Sequence, residues 1–170
     1  MAMENGAQYE RKYLAHFIDA SFGGTTTSYV RLGKDLEEYA VELNPDAESK
    51  KNILGENSYR VKGYEPQGSV DPYYASKGDA LWEQLAKIAN ERLTGSQLET
   101  TVVDLLLDSE GTVEWAYKED VKVVPQSMGG SDGVQIPFEI HYCGNRKKGT
   151  FDLKTKAFTE AASGEEASGT

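Results

Sequence analysis

The sequence predicts a mostly β domain, a β-sandwich or barrel with one flanking α-helix. Three observations carry this reading. Short segments alternate apolar and polar residues at the period of a half-buried strand. Turn residues such as Asn44-Pro45-Asp46 and Gly55-Glu56-Asn57 separate those segments. Only one segment, Asp79 to Leu93, carries helical spacing.

Taken in order, Met1 to Arg11 is polar and charged and reads as a flexible arm. Lys12 to Ile18 is a short strand, with Tyr13, Ala15 and Phe17 alternating with Leu14, His16 and Ile18. Phe22 to Ser28 holds Gly23-Gly24 and three threonines and reads as a loop. Tyr29 to Leu32 is a short strand ended by Gly33.

Leu36 to Leu43 alternates clearly. Tyr39, Val41 and Leu43 fall on one face, and Glu38, Ala40 and Glu42 on the other, the pattern of a half-buried antiparallel strand. Asn44-Pro45-Asp46 ends it, and Glu48 to Leu54 is the expected return strand. Ser58 to Tyr64 alternates again. Glu65 to Ser76, with Pro66, Gly68 and Pro72, reads as an extended loop.

The helix places Leu81, Leu85 and Ile88 on one stripe. Ser76 or Asp79 stands where an N-terminal cap belongs, and Gly95 where a C-terminal cap glycine belongs. Its apolar stripe has only sheet to lie on, so it covers one sheet face or end. After it the chain is all strands: Thr100 to Leu107, Thr112 to Lys118, Val121 to Pro125 and Val134 to Tyr142. The last is the cleanest, with Val134, Ile136, Phe138, Ile140 and Tyr142 on one face. Gly144 to Gly149 reads as a turn, and Phe151 to Phe158 closes the sheet. The reading therefore divides the chain into an arm over 1–11, a β domain over 12–158 with its helix at 79–93, and a disordered tail over 159–170.

At 170 residues the chain fits one such domain with arms and is long enough to bury a core without staples. Its formal net charge of −10 repels nucleic acid and argues against a DNA- or RNA-gripping module. Cys143 is the only cysteine, so no intrachain disulfide is possible and a cysteine-based zinc site lacks ligands. Neither a signal peptide nor a membrane-length apolar run is visible, which predicts a soluble protein made in the cytosol. Ten tyrosines suit strands, and they suit surfaces that become interfaces.

No coherent catalytic or metal constellation emerges. Gly129-Gly130-Ser131-Asp132-Gly133 fits the nucleophile-elbow pattern, but that chemistry needs a helix after the serine, and a strand is expected there. His16 and His141 lie in separate strands, where packing or interface hydrogen bonding accounts for them. Asp108-Ser109-Glu110-Gly111 resembles a calcium loop only at its start, and reads as a hairpin turn. The expectation is no catalytic residue, no metal and no cofactor.

Three stretches resemble the tail tube (major tail) proteins of long-tailed phages and prophages. They are Leu32-Gly33-Lys34-Asp35-Leu36 with the acidic strand to Asn44-Pro45; Ser58-Tyr59-Arg60-Val61-Lys62-Gly63-Tyr64 with the helix opening Gly78-Asp79-Ala80-Leu81; and the run from Thr101 through Glu119-Asp120-Val121 to Val134-Gln135-Ile136-Pro137-Phe138, ending in Gly149-Thr150-Phe151-Asp152. The resemblance spans residues 12 to 158. It implies a tail-tube-like fold and six-membered rings stacked into a hollow conduit for DNA ejection, located in the virion tail. It also implies tape-measure and tail-terminator proteins as partners, DNA passing without specific binding, and no membrane. An inner-tube protein of a contractile tail, tailocin or type VI-like machine would share fold and ring. A monomeric ligand-binding β-barrel is the alternative from another class. Within the ring reading, Glu38 and Glu42 are the candidate lumen-facing residues, since they occupy the polar face of their strand. The plainer alternative is that they face bulk solvent.

Overall fold

The computed structural model describes residues 3–33, 36 and 38–161. A single 3-10 turn, Arg11–Tyr13, leads into β1 (Leu14–Asp19), followed by β2 (Tyr29–Leu32), β3 (Val41–Glu42), β4 (Pro45–Lys51), β5 (Asn57–Tyr64), β6 (Gln67–Val70) and α1 (Ala80–Glu91). After a second 3-10 turn at Gly95–Leu98 come β7 (Glu99–Leu107), β8 (Val113–Pro125), β9 (Phe138–Asp152) and β10 (Ala157–Glu160). Eight strands form one antiparallel sheet in the order β2-β1-β7-β8-β9-β6-β3, with β10 paired to the far end of β9. The sheet curls into a half-barrel. β4 and β5 pair only with each other, as a separate two-stranded sheet. The expected mostly β fold with one helix is what the chain adopts.

Both faces of the sheet are apolar, which explains why β1 is buried almost end to end and not on alternate residues. On one face Ile18, Val102, Val121, Val123, Phe138 and Ile140 receive Leu81 and Leu85 of α1. On the other, Ala15, Phe17, Tyr29, Val103 and Leu105 pack under Phe151, which the curl of β9 brings over them, with the Phe17 and Phe151 rings 4.7 Å apart. The helix start is as expected: the Asp79 carboxylate accepts from the Leu81 amide at 3.0 Å. Its end is not. Arg92 takes the left-handed cap conformation, φ 49°, while Gly95 opens the following 3-10 turn.

Other departures have local causes. Among the described residues of Leu36 to Leu43, only Val41–Glu42 pairs as strand. The Tyr39 ring instead drops against the sheet, where it lies so close to Gly68 that a Cβ there would stand 2.3 Å from its hydroxyl. The expected break at Asn44 is real, φ 43°, but Pro45 already begins β4, at the first-residue position where a strand tolerates proline. Of the expected return strand Glu48 to Leu54, the first four residues do lie in β4, but β4 pairs with β5 and not with the segment before it, and Asn52 to Leu54 belong to the hairpin turn. The loop assigned to Glu65–Ser76 contains β6. The two strands expected at 112–118 and 121–125 are one, β8, with bulges about Asp120. On the opposite strand the bulge is absorbed by Gly144 and Asn145, φ 102° and 57°, so the turn expected at 144–149 is strand. Val134 lies outside β9 and is exposed, while Ile136, Phe138 and Ile140 of the same expected face are fully buried. Thr159 and Glu160, placed in the tail by the sequence, belong to β10. The rest of that expected tail, 162–170, lies outside the described residues.

Candidate functional site: a cleft and an arm at one end of the sheet

α1 covers only part of its sheet face. Beyond it the same face carries a buried polar cluster built around Asp104, a carboxylate in the middle of the apolar run Val102-Val103-Asp104-Leu105. The β1–β7 register sets His16 opposite Asp104, and their side chains meet at 2.6 Å (Nδ1 to Oδ1). The Tyr142 hydroxyl donates to Asp104 Oδ2 at 3.2 Å, and the Tyr39 hydroxyl lies 3.3 Å from that of Tyr142. The Tyr39 ring stands edge-on to His16, with centroids 4.6 Å apart. Arg11 donates to the Tyr39 carbonyl at 2.7 Å and comes within 3.3 Å of His16 Nε2.

A second pair sits beside the first. Buried Glu119 accepts from Arg146 at 3.1 Å and from the Gly144 amide at 3.2 Å. Arg146 also lies 3.9 Å from Asp104, and its guanidinium covers the Tyr117 ring at 4.6 Å. Buried carboxylates require this degree of pairing, because an unpaired one carries the full desolvation cost. Burial raises the Tyr142 phenol above the usual tyrosine range, and the adjacent Asp104 charge raises it further. Burial raises Tyr39 as well, with the Tyr142 hydrogen bond opposing.

This cluster forms the floor of an open cleft of about 880 Å³. Leu14 and Trp115 line it from the sheet, and Leu43, Tyr64 and Pro66 from the far wall. Leu43 and Tyr64 are also the base of the β4–β5 hairpin, which extends from the cleft mouth as an arm. Every residue of β4 and β5 is exposed or only half-buried. The arm has two unlike faces. Glu48 holds Lys50 and Lys62 at 2.8 and 2.9 Å on one, and these bonds draw its carboxyl below the usual range. The other face presents Tyr59, 70% exposed, and Val61, 40% exposed. At the tip the Asn52 side chain accepts from the Leu54 and Glu56 amides, both at 2.9 Å, which fixes the turn and leaves Ile53 and Leu54 101% and 76% exposed.

Glu38 and Glu42 are both exposed. They line a shallow hollow with Gln67, Ser69 and Asp71, next to the cleft and sharing Tyr39 and Ala40 with it. His141 reaches Glu139 at 3.0 Å and takes no part in the cluster. Ser131 lies in a loop closed by the Gly129–Gln135 backbone pair, and that loop leads into β9 and not into a helix, so the elbow geometry is missing. Asp108 accepts from the Glu110 and Thr112 amides and serves as a turn cap. Sequence reading missed Asp104, Glu119, Arg11, Arg146 and Trp115. The available signal was a lone carboxylate inside an apolar strand, which demands a buried partner.

No family model and no curated protein sequence matches the chain. Solved structures do resemble it. A chain in the sheath/tube terminator of PVC, an extracellular contractile injection system in its extended state, aligns with a TM-score of 0.55 at 7% identity, over 86% of this chain and 100% of that one. A chain in the six-fold symmetrised baseplate of the anti-feeding prophage aligns with a TM-score of 0.50 at 15% identity, over 86% and 97%. The fold is one shared with tail-associated proteins of contractile injection systems.

Proposed function

We propose that the chain is a structural subunit of a phage-like tail, in which copies join into a ring that forms or terminates the tube. The observation that carries this reading is the exposed arm. A two-stranded hairpin is marginal in water, and apolar residues such as Ile53, Leu54 and Tyr59 held out on one gain nothing unless a partner covers them. The likeness to terminator and baseplate chains supports a contractile machine, the expected alternative, ahead of a DNA-ejecting tail with this chain as its major tube subunit. Sheath and neighbouring tube proteins are the partners this reading implies. It assigns the Asp104 cluster a structural role, fixing strand register beside the open cleft, and no catalysis.

Negative-stain microscopy of concentrated protein, with light scattering alongside, tests the reading. Discrete rings are expected for a terminator-like subunit, and extended tubes for a tube-forming one. A chain that stays monomeric at millimolar concentration while binding a small molecule in the cleft would favour the β-barrel binder and end this proposal.

A further inference from the structure

The arm tip and the cleft fit as knob and hole on the same molecule. Ile53 and Leu54 are the most exposed large apolar side chains among the described residues. The cleft has apolar walls, formed by Leu14, Leu43, Tyr64 and Trp115, above the polar floor of the Asp104 cluster. The two are separated by the length of the arm. β4 is seven residues long, so the tip stands about 20 Å from the hairpin base that forms the cleft wall. A paired ribbon does not fold back on itself over that length, so a tip fills the cleft of a different copy.

Charge supports a copy of this chain as the occupant. From Pro45 to Tyr64, Lys50, Lys51, Arg60 and Lys62 outnumber Asp46, Glu48 and Glu56, in a chain whose formal net charge is −10. The hollow adjoining the cleft carries Glu38, Glu42 and Asp71. Lys51, beside the tip, carries the charge that complements this acidic rim.

Resting on the tail-subunit reading, we propose that the arm tip of one copy, Ile53-Leu54, docks in the Trp115 cleft of the next, with Lys51 over Glu38 and Glu42. The contact is heterologous, because the donor and acceptor surfaces differ, and it propagates to a ring or filament. It gives the two glutamates a role at a subunit contact instead of the lumen.

Cys143 lines the cleft and is exposed, which supplies a probe. Leu54→Cys chains, half of them isotopically heavy, are mixed at a concentration where light scattering shows association and treated with a short bis-maleimide. The expected result is a 54–143 cross-linked peptide of mixed light and heavy origin, lost in the Leu54→Cys/Cys143→Ser variant. Association without the 54–143 link, or with 54–54 links only, overturns the docking while leaving the tail-subunit reading intact. Absence of association at any concentration overturns both. As a second measurement, Lys51→Glu raises the concentration needed for assembly at least tenfold, and adding Glu38→Lys and Glu42→Lys restores it. Failure of the reversal to affect assembly removes Lys51 and the glutamates from the contact.

Discussion

β8 and β9 are long strands of one curled sheet, and each buries four residues; β4 and β5 are antiparallel strands of ordinary length that bury none. The hydrogen-bond ladders are alike in kind, so the ladder does not distinguish the regions. What differs is the second layer. The body has α1 on one face and the Phe151 layer on the other, whereas the arm has a charged face and a Tyr59–Val61 face, each left open by the described residues. Stability in β structure comes mainly from what covers a sheet face. The body therefore carries its own covering layers, and under the proposed function the arm is completed by another surface.

The contrast can be broken most forcefully in the body. Phe138→Ala, at a fully buried position, lowers folding stability by about 3–5 kcal/mol, measured by urea unfolding. A loss below about 1 kcal/mol would show that the body is no better packed than the arm. Asp104→Ala strips partners from His16 and Tyr142 and costs about 3 kcal/mol by the same measurement.

Alkaline pH probes the same cluster. The folded-state values of Tyr39 and Tyr142 are raised, so their contribution is complete below the unfolded tyrosine value of about 10 and is lost as pH rises from there towards the folded values. Each costs up to about 1.4 kcal/mol of stability per pH unit above 10. Absorbance titration shows Tyr39 and Tyr142 ionising only with unfolding. Tyr142→Phe makes the alkaline loss shallower.

Smaller effects sharpen the comparison. Asp79→Ala removes the α1 cap and costs about 1 kcal/mol. Tyr59→Ala changes monomer stability by less than about 0.5 kcal/mol but weakens assembly, read by light scattering. A monomer destabilised by much more would mean that the arm packs on its own body.

Much of the body was legible in the sequence. The stripe of Leu81, Leu85 and Ile88 marked α1, and Asp79 marked its start, because helix period and capping chemistry are local. Ile136, Phe138 and Ile140 announced a buried face by alternation. Local pattern failed where partners came from far along the chain. Leu36 to Leu43 alternates like a strand, yet Tyr39 spends its apolar surface on Gly68 and His16 instead of a ladder. Gly144 and Asn145 looked like a turn and are a bulge, because β8 runs on beside them.

Local sequence was enough to set the class of fold, the helix and the lack of a cysteine-based zinc site, since each of these is written in local pattern or residue content. The meeting of Asp104, His16, Tyr142, Glu119 and Arg146, and their place on the floor of a cleft at the foot of an arm, emerge only in three dimensions. Strand register across β1, β7, β8 and β9 is what brings them together. Register is set by long-range pairing and packing, and no stretch of the chain carries it alone.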